Sequence, residues 1–338
     1  MTELVSVDEV RAAARRIDGV AVRTPLLPFP GKPGLLIKPE SLQPIGAFKL
    51  RGAYNAIRAL AEDEATRPNG VVAHSSGNHG FAVAYAAALL KIPAAIVVPE
   101  GAAKVKTNAI QAAGAELIYV EPTLTARVEG MRNIARTRGY APIAPFDDRQ
   151  VIAGQGTIGL EIAEDLAGGP SRAVLVPVGG GGLVSGIAVA VKALMPETRV
   201  IGVEPELAAD ARESLLKGAR VAWPASDTAR TRADALRAEQ LGELTFPHIR
   251  EFVDDIVTVT EDEILRAIAA LALRARLVAE PAGAVPVAAC LFRSAAELGL
   301  DGDGRSGDTA PVVAVLSGGN VDPALLAGVL TAGHESYT

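Results

Sequence analysis

Short apolar runs rich in β-branched residues alternate with longer amphipathic segments along most of the 338 residues of this chain. The runs that we predict to be strands begin at Leu35, Val71, Ala94, Glu116, Ala173, Arg199, Ile256 and Val312. Two capping-box pairs mark the starts of helices between them, namely Ser6 with Glu9 and Thr260 with Glu263. Strands that alternate with helices form right-handed βαβ units, so we predict an α/β fold with parallel sheets covered on both faces.

Charge and cysteine content argue against several classes of protein. The formal net charge is −6 and the sequence contains no basic run, so we expect no nucleic-acid partner. The longest apolar tract, from Ala173, contains a proline and four consecutive glycines, which favours strand, loop and helix over a membrane span. Cys290 is the single cysteine and the N-terminus lacks a signal-peptide pattern, so we expect a cytoplasmic protein.

Four consecutive glycines, Gly179, Gly180, Gly181 and Gly182, follow a predicted strand and precede a predicted helix. Successive glycine N–H groups in such a turn, with the positive end of the helix, form a site for a phosphate group. Neither the dinucleotide pattern G-x-G-x-x-G nor the Walker pattern fits this run. Glu204 ends the next predicted strand, where an acid can bind a ribose, so a nicotinamide-dependent oxidoreductase stays an alternative.

Other strand–helix junctions carry polar groups suited to a small ligand. One junction offers hydroxyl, amide and N–H groups at the start of a predicted helix, and its residues are Ser75, Ser76, Gly77, Asn78 and His79. Such a place favours a carboxylate. Ser317 lies in a similar junction after the last predicted strand. Ligands bind outside the carboxyl ends of parallel strands, so we expect these loops to converge on one crevice.

Lys49 lies between Phe48 and Leu50, in apolar surroundings, where a helix is predicted to begin. Such a lysine is either a solvated residue at the helix start or a buried amine kept for chemistry. Among the segments expected at the crevice, it is the one nucleophilic amine. The residue by itself does not decide between these two interpretations.

Seven segments of the chain occur in an order typical of one enzyme family. They are GAFKLRGA, SSGNHG, VIAGQGT, VPVGGGGL, GVEPE, EPAGA and LSGGNVD, and they cover nearly the whole chain. Together they resemble the pyridoxal-phosphate enzymes of the tryptophan-synthase-β fold type (fold type II), and within it the serine/threonine dehydratase and serine racemase family. The resemblance implies two open parallel-sheet α/β domains with the active site in the cleft between them. The large domain would comprise residues 1–69 and 148–338, and the inserted small domain residues 70–147.

The resemblance also implies which residues bind the cofactor. Lys49 is similar to the lysine that holds pyridoxal phosphate as an imine and then removes the α-proton of the substrate. Burial beside Phe48 and the cofactor should lower the pKa of this lysine. The glycines 179–182 should hold the cofactor phosphate. Asn78 should bind the phenolic oxygen of the cofactor ring, and Ser317 its pyridine nitrogen.

Substrate and metal contacts follow from the same resemblance. The residues expected at the substrate carboxylate are Ser75, Ser76, Gly77, Asn78, His79 and Arg127. Glu204, the main-chain carbonyl group of Ala208, and Asp210 resemble the family's divalent-cation site, whose oxygen ligands suit magnesium or calcium. Family members are usually homodimers, so the resemblance implies a homodimer here.

Several positions distinguish branches of the family. Ile45 and Ala47 replace hydroxyl-bearing residues of many relatives, and Ala235 replaces a common glycine. Phe146 is typical of threonine dehydratases, whereas serine racemases tend to have asparagine there. Ser76 is typical of racemases, which use this serine as the acid/base on the opposite face of the substrate. Hydroxyaspartate dehydratases also combine this serine with the general pattern.

The resemblance therefore implies an ammonia-lyase that converts a β-hydroxy L-amino acid to a 2-oxo acid and ammonia. Threonine and serine are the first substrates to test, and threo-3-hydroxyaspartate is the next. Racemisation through Ser76 is an alternative activity, and a protein that binds ligands without catalysis is an alternative of another class. The sequence ends soon after its last motif, so we expect no C-terminal regulatory domain.

Overall fold

A computed structural model describes residues 3–62, 64, 67–102, 104–167, 169, 171–301 and 310–332. The strands are β1 (Leu27–Pro28), β2 (Leu35–Pro39), β3 (Val71–His74), β4 (Ala94–Pro99), β5 (Glu116–Val120), β6 (Ala141–Pro142), β7 (Ala173–Pro177), β8 (Arg199–Pro205), β9 (Asp255–Val259) and β10 (Val312–Leu316). The helices are α1 (Val7–Ile17), α2 (Lys49–Ala61), α3 (Asn78–Leu89), α4 (Lys104–Ala112), α5 (Leu124–Arg138), α6 (Arg149–Asp165), α7 (Gly182–Leu194), α8 (Asp210–Lys217), α9 (Ala225–Thr228), α10 (Thr245–Phe252), α11 (Glu261–Ala270), α12 (Pro281–Phe292) and α13 (Pro323–Ala332). A π-helical turn, Leu271–Ala275, follows α11.

The predicted strands and capping boxes are confirmed. A strand lies at each predicted apolar run, and the side chains of Ser6 and Thr260 accept the expected main-chain hydrogen bonds at the starts of α1 and α11. The structure adds β1 and β6, which are two residues long and end in proline. Proline cannot donate to a ladder, so runs this short give no strand signal in the sequence.

Two open sheets organise the fold. Within the described residues, six strands form one sheet in the order β1-β2-β10-β7-β8-β9, and four form a second in the order β5-β4-β3-β6. All pairings are parallel except that of β1 with β2. The predicted α/β fold with two parallel-sheet units is confirmed. The four-stranded sheet uses only the segment from Val71 to Pro142, while the exact domain boundaries stay a prediction.

Apolar side chains cover both faces of the six-stranded sheet. On one face, Leu175 of β7 belongs to a buried cluster with Ile268 of α11 and Val285 of α12. On the other face, Val174 of β7 is buried in a cluster with Ile187 of α7. Adjacent residues of a strand point to opposite faces, so a continuous apolar run is needed where both are covered. No helix in the described ranges is long and apolar enough to cross a membrane.

Helix α6 lies between α2 and α7 and contacts both through glycines. A Cβ atom at Gly154 of α6 would lie 2.6 Å from Cα of Gly52 in α2. A Cβ at Gly156 would lie 2.8 Å from the carbonyl oxygen of Gly186 in α7. Real Cβ contacts are longer than this, so the motif VIAGQGT allows the close approach of three helices. The helix that carries Lys49 is thereby packed on the same support as the helix behind the glycine run.

Candidate active site

Lys49 is the first residue of α2, as predicted. The main-chain N–H of Phe48 donates to the carbonyl oxygen of Ser317 (3.0 Å), which joins this helix start to the end of β10. The ammonium group of Lys49 donates to the carbonyl oxygen of Pro145 (2.6 Å) and lies 5.0 Å from the centre of the Phe48 ring. The lysine therefore sits where loops from separate parts of the chain meet.

Burial lowers the pKa of Lys49 from its ordinary value of 10.5 to about 8, and the negative charge of Glu280 offsets part of this effect. The predicted direction of the shift is confirmed. An amine with such a pKa is partly unprotonated near neutral pH, so it can accept a proton or attack a carbonyl carbon. This resolves the choice left open by the sequence in favour of an amine kept for chemistry.

The glycine run forms the turn between β7 and α7. Gly181 has a φ of +93°, a conformation that favours glycine. The carbonyl oxygen of Gly180 accepts a hydrogen bond from the hydroxyl group of Thr245 (2.7 Å), which ties the turn to α10. The first N–H groups of a helix have no acceptor within it and lie at its positive end, so this turn fits a phosphate group.

Phe146 packs against the glycine run so closely that side chains are excluded there. A Cβ at Gly180 would overlap the phenyl ring, and a Cβ at Gly182 would lie 2.9 Å from Cα of Phe146. The next residue, Asp147, accepts hydrogen bonds from main-chain N–H groups at the start of α10. The preceding residue, Pro145, is the acceptor for the ammonium group of the lysine. This short loop thus connects the amine, the glycine run and α10.

Asn78 is the first residue of α3, and its amide group joins two other loops. Its nitrogen donates to Oε1 of Glu280 (2.7 Å), and its oxygen accepts from the amide of Asn320 (2.8 Å). An amide nitrogen carries two N–H groups, so a second donor can serve the phenolic oxygen of a cofactor ring. Glu280 precedes α12, and its main-chain N–H donates to the carbonyl oxygen of Gly318 (3.0 Å). The loop that contains Ser317 is thereby joined to the same cluster.

The loop before α3 presents hydroxyl and N–H groups at the positive end of that helix. Ser75, Ser76 and Gly77 are half-buried, and the N–H of Gly77 donates to the hydroxyl group of Ser75 (3.2 Å). Gly77 is the N-cap residue, and it has no side chain to satisfy the free N–H groups of the first turn. The loop can therefore bind an anionic group such as a carboxylate.

His79 is buried, and its Nε2 lies 2.9 Å from the carbonyl oxygen of Ile143. Burial and the positive charge of Lys49 lower the pKa of His79 to about 3. The ring is therefore neutral at physiological pH and brings no positive charge to a substrate. A role of His79 at the substrate carboxylate stays a prediction, and its main-chain N–H is the group suited to it.

Arg127 lies half-buried in the first turn of α5, where its Nε donates to the carbonyl oxygen of Thr123 (3.4 Å). Its charge, after burial, contributes to lowering the pKa of His74, the last residue of β3 and the neighbour of the serine loop. The Nδ1 atom of His74 is buried and has no hydrogen-bond partner in the described part of the protein. Arg127 is thus close to the loop, and its contact with a carboxylate stays a prediction.

Glu204 and Asp210 form a separate acidic site where β8 meets α8, and both are fully buried. The carboxylate of Glu204 accepts the N–H groups of Ala211 (3.0 Å) and Arg212 (2.8 Å). Both carboxylate oxygens of Asp210 lack a hydrogen-bond partner among the described residues. Burial raises the pKa of Asp210 to about 7, and burial with the charge of Asp210 raises the pKa of Glu204 well above its ordinary value.

Two buried carboxylates of this kind fit a divalent cation, because an unpaired buried charge is costly and carboxylate oxygens suit magnesium or calcium. No group of three or more His, Cys, Asp or Glu side chains that could hold a metal occurs in the described residues. Carbonyl groups, such as that of Ala208, and water would have to complete the coordination shell. The carboxylate of Glu204 is directed into the start of α8, so it is not placed to bind a ribose at the glycine run.

The structure adds Pro145, Glu280 and Asn320 to the residues predicted for the site. Glu280 and Asn320 lie in the motifs EPAGA and LSGGNVD, so the sequence marks them without showing what they contact. Pro145 acts through its main-chain carbonyl group, which every residue type possesses. A sequence pattern therefore carries no signal for that contact.

Comparison with known proteins places the chain in an enzyme family. The family described as pyridoxal-phosphate dependent enzyme matches residues 17–318. Serine racemase of Arabidopsis thaliana is 40% identical over 319 residues, which cover 93% of this chain and 92% of the plant protein. L-threonine ammonia-lyase of Thermotoga maritima is 39% identical over 335 residues, or 98% of this chain and 79% of that protein. L-threo-3-hydroxyaspartate ammonia-lyase of Saccharomyces cerevisiae is 39% identical over 304 residues, or 90% and 88%.

Solved structures agree with this placement. The crystal structure of a bacterial threonine deaminase, designated T.th., superposes with a TM-score of 0.85 at 45% identity, covering 94% of this chain and 99% of that one. The structure of maize serine racemase gives a TM-score of 0.88 at 34% identity, covering 98% and 99%. The similarity thus extends over both sheets and all the loops described above.

Proposed function

The chain belongs to the family of pyridoxal-phosphate dependent enzymes, and on this premise we propose that it is an ammonia-lyase that converts a β-hydroxy L-amino acid to a 2-oxo acid and ammonia. Threonine and serine are the proposed substrates, and threo-3-hydroxyaspartate is the next candidate. The observation that carries the proposal is the amine of Lys49, whose pKa is about 8 and which lies where the loops of both sheets meet. Relatives named L-threonine ammonia-lyase and L-threo-3-hydroxyaspartate ammonia-lyase support this choice.

The residues around Lys49 are suited to hold the cofactor. Pyridoxal phosphate, when bound, supplies an electron-withdrawing ring that stabilises the negative charge left at Cα after loss of a proton. The glycines 179–182 would bind its phosphate through main-chain N–H groups. Asn78 would donate to the ring oxygen and Ser317 would contact the ring nitrogen, while Phe48 adjoins the amine. A neutral serine leaves that nitrogen largely unprotonated, which favours elimination over transamination.

The same residues can direct the chemistry of the substrate. The serine loop, residues 75–79, would hold the substrate carboxylate at the start of α3 and so orient Cα towards Lys49. The Nζ atom of Lys49 would accept the proton from Cα, and the β-hydroxyl group would then leave as water. The resulting enamine is hydrolysed by water to the 2-oxo acid and ammonia. Each step needs only a positioned base and a held carboxylate from this chain.

A panel of β-hydroxy L-amino acids tests the proposal. The purified enzyme should release 2-oxo acid and ammonia in equal amounts from threonine or serine, and Lys49→Ala should abolish this release. The exposed Lys217→Ala is a matched control that should retain activity. Borohydride treatment followed by peptide mass mapping should show the cofactor fixed to Lys49. An active enzyme in which Lys49 is left unmodified would contradict the proposal.

Racemisation is a second candidate, supported by Ser76 in the loop before α3 and by relatives named serine racemase. A hydroxyl group on the face opposite Lys49 could return a proton to Cα. Ser76→Ala should therefore lower racemisation more than ammonia release, whereas Ser75→Ala should lower both together. Measurement of both enantiomers and of 2-oxo acid in one assay decides. Full racemase activity in Ser76→Ala would exclude this role.

We also infer a magnesium or calcium site at Glu204, the carbonyl group of Ala208, and Asp210, supported by the two buried carboxylates. The family resemblance further supports a homodimer, which light scattering after size-exclusion chromatography would test. A cytoplasmic location is supported by the single, buried cysteine, Cys290. Fractionation of expressing cells would test it.

A further inference from the structure

Arg51 is fully buried in the first turn of α2, two residues after Lys49, and it is bound by two carboxylates. Its Nε and Nη2 atoms donate to the two oxygens of Glu40 (2.7 and 2.9 Å). Its Nη1 and Nη2 atoms donate to the two oxygens of Glu161 (2.6 and 2.9 Å). The guanidinium group is therefore held in a fixed plane between the end of β2 and α6.

Other partners complete this buried network. Nη1 of Arg51 donates to the hydroxyl group of Thr157 (3.1 Å), and Nη2 donates to the carbonyl oxygen of Val22 (3.0 Å). The ammonium group of Lys38 donates to Glu161 (2.6 Å). A guanidinium group has five N–H donors, and every nitrogen of this one has a carboxylate partner. Movement of the side chain would break several of these bonds together.

Stability alone is a weak reason for such a network. Two cationic and two anionic side chains balance in charge, but buried ion pairs often stabilise a protein no more than apolar residues of similar volume. Their directional bonds do fix geometry, which apolar packing does less sharply. The network is thus better explained by what it orients.

The start of α2 is the part of the chain that it orients. The N-cap residue, Phe48, makes no side-chain capping bond, so this helix end lacks the usual fixing contact. The N–H of Phe48 is bonded to Ser317, and the side chain of Arg51 supplies the second anchor, on β2 and α6. Between these two anchors lies Lys49.

We propose that Arg51 is a positioning residue for Lys49: its guanidinium group, clamped by Glu40 and Glu161, fixes the first turn of α2 and so holds the amine at the carbonyl group of Pro145. The inference rests on the proposed function, in which that amine bears the cofactor and moves the α-proton. A misplacement of a reacting group by about 1 Å can cost about 10²-fold in rate, so a rigid clamp has a direct effect on kcat.

Three variants test the inference. Arg51→Lys keeps the charge but cannot bind both carboxylates in a fork, and Arg51→Met removes the charge. Ile57→Ala, in the same helix, creates a buried cavity away from the network and serves as a control for destabilisation alone. For each protein, the thermal midpoint, kcat, KM and the fraction of cofactor fixed to Lys49 by borohydride are measured.

A further readout does not depend on the loaded enzyme. In the cofactor-free protein, acetylation of Lys49 by acetic anhydride is followed against pH by peptide mass mapping, since only the unprotonated amine reacts. Both Arg51 variants should shift the midpoint upward, because a released first turn exposes the amine to water. They should lower kcat by about 10²-fold with a smaller change in KM. Ile57→Ala should lower the thermal midpoint without shifting the acetylation midpoint.

The outcomes separate this inference from the proposed function. Arg51 variants with the wild-type acetylation midpoint and the wild-type fraction of labelled Lys49 would overturn the positioning role. A wild-type enzyme without label at Lys49 would instead refute the proposed function, and with it the basis of this inference. Should Arg51→Met not fold, Glu161→Gln keeps the side-chain shape and removes one charge, and it must shift the midpoint upward if the clamp is real.

Discussion

The carboxylate of Glu280 accepts a 2.7 Å hydrogen bond from the amide of Asn78, a residue 202 positions away in the sequence. Asn78 begins α3, which follows the central part of the four-stranded sheet, and Glu280 precedes α12, which packs on the six-stranded sheet. The same carboxylate raises the pKa of Lys49, against the larger lowering effect of burial. One acidic side chain thus contacts the residue proposed to bind the cofactor ring and also acts on the amine.

Substitution of Glu280 should change the amine in a defined direction. In Glu280→Gln the negative charge that opposes the effect of burial is lost, so the pKa of Lys49 should fall below about 8. The pH dependence of Lys49 acetylation in the cofactor-free protein measures this shift. Glu263→Gln, at the start of α11, removes a carboxylate bound to Arg293 and should leave the midpoint unchanged. An unchanged or raised midpoint in Glu280→Gln would disagree with the structure.

The stability of the cofactor-free protein should depend on the charge of Lys49. The pKa of this lysine is about 8 in the folded state and 10.5 in the ordinary state, so between these values the unfolded chain binds more protons. Stability should therefore rise with pH across this window, by up to about 1.4 kcal/mol for each pH unit. Lys49→Met cannot be charged, so the rise should be smaller in that variant. Urea unfolding between pH 8 and pH 10.5 compares the two.

The glycine run should tolerate alanine only where Phe146 can give way. Gly180→Ala places a Cβ against the phenyl ring, at a cost of about 1–3 kcal/mol for overpacking, and should weaken cofactor binding. Removal of the ring in the double variant Gly180→Ala, Phe146→Ala should restore part of the affinity. Gly182→Ala meets main-chain atoms of Phe146, so removal of the ring should not rescue it. Titration with pyridoxal phosphate, followed by absorbance, gives the affinities, and equal rescue at both positions would contradict this account.

The acidic site predicts a response to metal. Magnesium should raise the thermal midpoint of the wild type, because a ligand that binds only the folded state stabilises it, and Asp210→Asn should lose this response. Without metal, the raised pKa of Asp210, about 7, means that the folded state loses stability as the pH rises from 3.8 towards 8. Asp210→Asn should not show that loss. Calorimetry with EDTA or magnesium at pH 6 and pH 8 checks both expectations, and a full magnesium response in Asp210→Asn would place the ion elsewhere.

Local patterns were enough to predict much of this protein. The alternation of apolar runs and amphipathic segments gives the strands of both sheets, because strand and helix periodicities are properties of neighbouring residues. The same holds for Lys49 at the start of α2 and for the glycine run at the start of α7. A positive φ at Gly181 and the free N–H groups beside it likewise depend on residues adjacent in the chain.

Only the tertiary structure decided how the site residues act on each other. The pKa of about 8 for Lys49 arises from burial and from Glu280, and the neutral state of His79 arises from burial and from Lys49. Desolvation and Coulomb interactions depend on distances through space, and these partners are far apart along the chain. The carbonyl group of Pro145 carries no sequence signal at all. The sequence therefore determined which groups are present at the carboxyl ends of the strands, and folding determined their protonation and their partners.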